Sequence, residues 1–163
     1  MPSMGYMSIE GAQQGHIEGS AQRRDARGLI EVFTFDHQVA VPRKATSALA
    51  AGRPVHQEVV VAKLVDRATP RLYQALDGHE RLTEVSFQWF EYNASGIEEL
   101  VFQIELRNAL ITRIKPCMAD VLDPAKDRYR FMEQVSLAYE SIVWSWGGGD
   151  VQFEATWEGP EAE

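Results

Sequence analysis

The sequence predicts a mainly β protein of antiparallel strands with one short helix. Along most of the chain apolar and polar residues alternate, which is the period of strands with one buried face. One segment instead places apolar residues three and four positions apart, which is the period of a helix. With 163 residues the chain is long enough for one domain with its own core, and we expect a single domain over residues 1–163.

The strand predictions follow this alternation along the chain. YMSIEG near the start is a weak candidate, whereas QEVVVAKLV is apolar on both sides as far as Lys63 and is predicted as a more central strand. The clearest alternation lies in EVFTFDHQVAV, TEVSFQWFEY and LVFQIELRNALITRI. In the first of these three segments, one face is expected to carry Phe33, Phe35, Val39 and Val41.

The helix prediction rests on the segment TPRLYQALDG. Thr69 suits the N-cap and Pro70 suits the first helical position. Gly78 supplies a stop signal. We therefore predict a helix from Pro70 to about Leu76, placed between strands. The residues expected to pack it against the sheet are Leu72, Tyr73 and Leu76.

Residues 137–157, LAYESIVWSWGGGDVQFEATW, are predicted as the hairpin that closes a barrel or sandwich. The apolar residues change phase before Trp144, which requires either a bulge near residues 140–141 or burial on different sides at the two ends. The glycines reverse the chain and allow cross-strand aromatic pairs. A phosphate-binding loop is the alternative, and it is disfavoured because no helical pattern follows the glycines. The residues assigned to this hairpin and the core are Tyr139, Trp144, Trp146, Phe153 and Trp157.

Two segments are predicted as loops. QRRDARG, residues 22–28, is charged and turn-like. PRKATSALAAGRP, residues 42–54, is long for a connection inside a compact domain and carries Arg43, Lys44 and Arg53 in an otherwise acidic chain. A projecting arm of opposite charge to the body suits a self-docking surface, and a flexible insertion is an equally open interpretation.

Composition excludes several classes of function. A net charge of −8 repels phosphate backbones and anionic membranes, so nucleic acid is not an expected partner. Residues 1–19 contain neither Lys nor Arg and no continuous apolar run, so we expect no signal peptide. No apolar run reaches the ~18 residues of a membrane span, and no membrane insertion is expected.

No pattern of residues demands catalysis, a metal or another cofactor. The four histidines, at positions 16, 37, 56 and 79, are scattered, which disfavours a zinc site. The single cysteine, Cys117, is interpreted as a packed or idle thiol, and a catalytic role would need a histidine brought close in space. His37 shares the parity of Phe35 and is expected to be a partly buried structural histidine rather than an acid–base partner of Asp36.

Five segments between Tyr6 and about Trp146 are distinctive together, although each is weak alone: YMSIEGAQQGHIEGS, FDHQVAVP, GRPVHQEVVVAKLVDRATPRLYQAL, LTEVSFQWFEY and DPAKDRYRFMEQVSLAYESIVWSW. In this order and spacing the sequence resembles the Hcp family, the tube-forming proteins of bacterial type VI secretion systems. The tail, GGGDVQFEATWEGPEAE, is less typical of the family.

The resemblance implies an antiparallel β-barrel of two packed sheets, flanked by one helix, that assembles into stacked hexameric rings and is not an enzyme. It implies partners in the sheath, the spike and effector proteins carried in the lumen. Assembly would take place in the cytoplasm, followed by secretion without a signal peptide. The loop over residues 42–56 would reach the neighbouring ring, with contacts expected from Arg43, Lys44, Arg53, Val55 and His56.

Two other interpretations stay open at this stage. A monomeric barrel with many aromatic residues would bind a small apolar ligand. Such a barrel has no need of a long basic arm, so residues 42–56 favour the tube. An enzyme built on Cys117 is the remaining alternative, and it predicts that Cys117→Ala abolishes an activity.

Overall fold

The computed structural model describes residues 3–43 and 52–157, in which the chain forms twelve strands and one α-helix. The prediction of a mainly β protein with one helix is confirmed. The strands are β1 Met4–Gly11, β2 Gly15–His16, β3 Ile30–Val32, β4 Thr34–Asp36, β5 Val39–Ala40, β6 Val55–His56, β7 Val59–Leu64, β8 Leu82–Tyr92, β9 Glu98–Cys117, β10 Met132–Ala138, β11 Ser141–Trp146 and β12 Val151–Thr156. The helix α1 spans Thr69–Asp77, and short 3-10 helices span Arg24–Ala26 and Pro124–Lys126.

Strand β9, 20 residues long, organises the sheet. Strand β8 pairs along one of its edges, and β10 and β11 follow one another along the other edge. The strand order is β2-β1-β8-β9-β10-β7-β4, and every pairing is antiparallel. Strand β7 lies between β10 and β4, as expected for a central strand.

The strands do not close into a barrel of two packed sheets, so this part of the fold prediction is wrong. The described residues form one ten-stranded sheet and a separate two-stranded sheet of β5 and β6. The long β9 carries both halves of the larger sheet, and the twist that accumulates along it turns their apolar faces toward one core. The two ends of the sheet meet at residues 30–36, where β3 pairs with β1 and β4 pairs with β7.

This meeting point also breaks the continuous strand predicted for EVFTFDHQVAV. The segment changes partner at Phe33, whose backbone N–H donates to the carbonyl of Ala62 at 2.8 Å. Phe33 is therefore exposed, while Phe35 packs against the core. The predicted common face does not form, because Val39 and Val41 are also exposed.

The core lies between the curled halves of the sheet, with α1 packed against it. Alternate residues of the long strands point inward, as their period requires. Each fully buried aliphatic or aromatic side chain stabilises the fold by roughly 1.5–3 kcal/mol. The fully buried members with the largest side chains include Met7, Ile9, Leu72, Phe87, Leu106 and Leu137.

The helix is present at about the predicted position but packs differently in detail. Leu72 and Ala75 are its buried residues, whereas Tyr73 is exposed. Gly78 ends the helix, and its N–H donates to the carbonyl of Gln74 at 3.1 Å. Among the described residues, no helix combines the length and the apolar character that a bilayer crossing requires.

A buried polar network, which we call the lysine network, fixes the start of α1. Lys63 of β7 points inward, and its ammonium group donates to the carboxylates of Glu133 and Asp66, the latter at 3.0 Å. Thr69 is not the N-cap that the sequence predicted: Ala68 holds that position, and the Thr69 hydroxyl donates to Glu133 at 2.7 Å. Lys63 and Glu133 are both fully buried, so their opposite charges compensate each other's desolvation.

Candidate assembly surfaces

Strands β11 and β12 form the predicted hairpin. Trp144 lies opposite Phe153, and Trp146 lies opposite Val151. The turn between them needs glycine, because residues 147, 148 and 149 have φ values of 59°, 75° and 110°, a region that side chains disfavour. The triple glycine therefore specifies a turn and not a ligand loop.

Burial decreases along this hairpin from its base to its tip. Ile142 is fully buried and Trp144 packs against the core, but Trp146 is 59% exposed and Phe153 is 67% exposed. The sequence assigned both of these exposed aromatic residues to the hairpin and core. They lie in the hairpin but outside the core, because the hairpin carries its apolar face beyond the region that the core covers. Tyr139 is buried, and Trp157 packs against the core.

Strand β12 forms an edge of the larger sheet in the part of the chain that the structure describes. Within residues 3–43 and 52–157 it pairs only with β11, and five of its six residues are exposed. Natural edge strands are usually protected by charges, proline or a covering segment, whereas the only charge on β12 is that of Glu154. An edge that no other described strand pairs with, beside exposed Trp146 and Phe153, is a template for another chain.

A second exposed apolar set, which we call the β9–β10 patch, lies in the connection between these two strands. Sequence reasoning missed it, because residues 118–131 show neither helical nor strand periodicity. A segment without periodic apolar residues is normally predicted as a polar loop. The only signal of an exposed apolar surface in this segment was its content of apolar residues. The exposed members of the patch are Met118, Val121, Leu122, Tyr129 and Phe131.

The arm over residues 42–56 is rooted in the small β5–β6 sheet. Val39 pairs with His56, and Ala40 pairs with Val55. Val55 is exposed, as are the predicted contact residues Arg43 and Arg53. Lys44, also predicted as a contact, lies outside the described residues.

The resemblance placed His56 among the contact residues of the arm, but the side chain of His56 is not exposed. It is only 8% exposed, and its Nδ1 lies 2.7 Å from the hydroxyl of Tyr139. The Nε2 atom of His37 lies 2.8 Å from the same hydroxyl, so the three side chains form one cluster, which we call the histidine–tyrosine cluster. Half-buried His37 has the structural position that its parity predicted.

Burial sets the protonation behaviour of this cluster. It lowers the pKa of both His37 and His56, and the neighbouring His56 imidazole lowers the pKa of His37 further. Burial also raises the pKa of Tyr139, which keeps the phenol protonated. The cluster therefore favours two neutral imidazoles around one hydroxyl.

The phase change near Tyr139 has a local cause. Strand β10 ends at Ala138 and β11 begins at Ser141, so the chain leaves the β9 ladder between them. The N–H of Glu140 donates to the carbonyl of Arg107, next to Asn108 with φ of 49°. The register against β9 is the same on both sides of this break, since Ala138 lies opposite Leu110 and Ser141 lies opposite Arg107.

The described residues contain no group of three or more His, Cys, Asp and Glu side chains placed to hold a metal ion. Cys117 is exposed at the end of β9, so it is not the packed thiol of one prediction. The distinctive features of the described surface are an open strand edge, two exposed apolar sets and a rooted arm. They define a β-sheet protein of the self-associating, structural class.

Comparison with known proteins places the chain within this class. The family described as "Type VI secretion system effector, Hcp" matches residues 6–146. The "Major exported protein" of Pseudomonas aeruginosa is 33% identical over 171 aligned positions, covering 99% of each chain. Among solved structures, the Hcp1 protein from E. coli EAEC 042 matches with 26% identity and a TM-score of 0.85, over 95% of this chain and 99% of that one. Secreted protein Hcp3 from Pseudomonas aeruginosa matches with 28% identity and a TM-score of 0.77, over 96% and 99% of the two chains.

The chain belongs to the Hcp family of the type VI secretion system. Its function is that of a secreted tube subunit, which forms hexameric rings that stack and can carry effector proteins.

Proposed function

We propose that the chain closes its ring through the β11–β12 hairpin and stacks its rings through the arm, without catalysing a reaction. The exposed edge of β12, beside Trp146 and Phe153, is the observation that carries this proposal. In a closed ring each contact joins two different surfaces of neighbouring copies. The β9–β10 patch is the partner surface for the hairpin, because it is a second exposed apolar set in a different part of the chain, the connection between β9 and β10.

Apolar burial alone does not account for such a contact. Burying Trp146, Val151 and Phe153 would contribute roughly 5–9 kcal/mol at ~1.5–3 kcal/mol for each side chain. Association costs about 4–15 kcal/mol in lost freedom of motion, which is comparable with this gain or larger. Backbone pairing along β12 and apolar contacts from the β9–β10 patch supply the remainder.

Electrostatics supports the role of the arm in stacking. Arg43, Lys44 and Arg53 place positive charge within residues 42–56 of a chain whose net charge is −8. Opposite charges on exposed surfaces steer association and lose their effect as salt screens them. Stacking of rings should therefore weaken with ionic strength, whereas the apolar ring contact should not.

Partners outside the ring follow from the family. The outer surface of the tube would meet the sheath, its end would meet the spike, and the lumen would hold effector proteins during export. Assembly would take place in the cytoplasm, before secretion.

The test replaces two apolar residues of the edge strand with charges. Val151→Glu with Phe153→Glu should convert rings into smaller species in size-exclusion chromatography with light scattering, while circular dichroism stays that of wild type. Tyr73→Glu is the control for an added negative charge, because it places one glutamate at an exposed aromatic position of α1 away from the hairpin. Intact rings in the double variant would contradict the proposed ring contact.

A further inference from the structure

The histidine–tyrosine cluster places two imidazoles and one hydroxyl at the base of the arm, where apolar side chains would be enough for packing. The Tyr139 hydroxyl has one proton, so it can donate to one ring nitrogen and accept from the N–H of the other. Its contacts to His37 and His56 measure 2.8 Å and 2.7 Å. This arrangement is complete only while at least one imidazole presents an unprotonated nitrogen.

The cluster lies where the base of the arm meets the main sheet. His56 belongs to β6, and His37 lies just before β5, so the cluster holds both strands at the base of the arm. Tyr139 lies at the junction of β10 and β11 in the main sheet. Trp157 packs across the cluster, with ring centroids 4.8 Å from Tyr139 and 6.2 Å from His56. The cluster therefore ties the arm to the main sheet.

We propose that His37, Tyr139 and His56 form an acid-sensitive latch, which fixes the base of the arm when the imidazoles are neutral and releases it when both are protonated. This inference rests on the proposed function, in which the arm stacks one ring on the next.

Protonation would disrupt the cluster for two reasons. Both ring nitrogens would then be donors facing one oxygen, and the hydroxyl proton would have no acceptor. Two positive charges would also face each other across that oxygen, one on half-buried His37 and one on buried His56. Tyr139 is 4% exposed, so water does not readily relieve either problem.

The charged groups around the cluster oppose this effect only in part. Asp36 of β4 precedes His37 and favours its charged form, but burial and the His56 imidazole outweigh it, and the pKa of His37 is lowered. Glu58, which follows β6, lines the same groove as Asp36 and His37. Glu140, next to Tyr139, accepts from the side chain of Asn108 at 2.7 Å.

The direction of the pH response follows from these lowered pKa values. Both imidazoles are neutral above the ordinary histidine pKa of 6.5, and the latch is closed there. As the pH falls below 6.5 and reaches the lower pKa values of the folded chain, protonation opens the latch. Rings stacked near neutral pH should therefore separate in mild acid, while the single rings stay intact.

Hydrogen exchange and light scattering of the whole protein test the latch. Between about pH 7.5 and pH 5.5, exchange at residues 39–43 and 53–57, corrected for the intrinsic rate, should rise about tenfold in wild type. His56→Gln should suppress the rise, because the amide can bond the Tyr139 hydroxyl and does not titrate. His16→Gln is the matched control, since His16 is exposed and pairs with Glu10 away from the cluster, and it should behave as wild type.

Each outcome separates the latch from the proposed function. His37→Gln at a half-buried position serves as the second variant if His56→Gln fails to fold. Equal pH dependence in wild type and in the folded cluster variants would overturn the latch. Acid loosening of the arm base with rings still stacked by light scattering would leave the latch standing and remove the stacking role of the arm.

Discussion

The lysine network and the histidine–tyrosine cluster are both buried and polar, yet they offset the free-energy cost of burying polar groups in opposite ways. Lys63 and Glu133 are fully buried and bring opposite charges together at the start of α1. His37 and His56 instead share an uncharged hydroxyl at the base of the arm. The first arrangement fixes a helix to the sheet, and the second couples the base of the arm to protonation. A buried polar group whose charges are paired is thus expected to be a fixed structural contact. A buried polar group whose charge is suppressed is expected to respond to pH.

The largest expected effect comes from breaking the lysine network. Glu133→Ala should destabilise the fold by about 3–5 kcal/mol, because Lys63 would remain buried without its main counter-charge. Urea unfolding measures this loss. The double variant Lys63→Met with Glu133→Leu should recover most of it, since neither charge is then buried. A single variant as stable as wild type would show that the pair does not fix α1.

Removing the shared hydroxyl should have the next largest effect. Tyr139→Phe keeps the aromatic packing but leaves a buried histidine nitrogen without its partner, at a cost of about 1–3 kcal/mol. Thermal unfolding near pH 8 measures this loss with the imidazoles neutral. Tyr129→Phe, at an exposed tyrosine, is the control and should be close to neutral. Equal effects at the two positions would mean that the hydroxyl does not organise the cluster.

A smaller effect is expected at the edge of the lysine network. Thr69→Val removes the hydroxyl that accepts from the Asp66 N–H and donates to Glu133. The remaining bonds between Lys63 and the carboxylates persist, so the loss should be about 1–2 kcal/mol, below that of Glu133→Ala. Urea unfolding beside Glu133→Ala measures it. A loss as large as that of Glu133→Ala would mean that the hydroxyl, and not the ion pair, holds the network together.

The smallest expected effect is the dependence of stability on pH. Because the pKa values of His37 and His56 are lowered in the folded state, their contribution is complete above pH 6.5 and decreases as the pH falls below it. Wild-type thermal stability should therefore decrease on mild acidification by more than that of His56→Gln. A steeper decrease of thermal stability in His56→Gln than in wild type would contradict the assigned direction of the pH dependence.

Local pattern predicted the elements of the fold but not the long-range contacts that distinguish its two polar regions. The helix and strands β1, β7, β8 and β9 follow from periodicity, which is a property of neighbouring residues. Lys63 and Glu133 are 70 positions apart, and His37 and Tyr139 are 102 positions apart, so no period links them. The position of Lys63 at the end of a segment that is apolar on both sides was a visible signal, but its partner could not be predicted from the sequence.

The same limit explains the errors in the candidate surfaces. Alternation assigns Trp146 and Phe153 to the core face correctly, but only the packed fold shows that the core ends before the tip of the hairpin. Resemblance placed His56 among the contact residues of the arm, and only the fold shows its side chain turned toward Tyr139. Phe33 was likewise predicted as part of one continuous strand, because a change of pairing partner has no signature in the local sequence.

Hydrogen exchange along β12 tests the central claim most directly, namely that a neighbouring copy covers this edge. In assembled wild type the outward N–H groups of residues 151–156 should be protected, and in Val151→Glu with Phe153→Glu they should exchange freely while β11 stays protected. Equally rapid exchange at these groups in both proteins would contradict a covered edge.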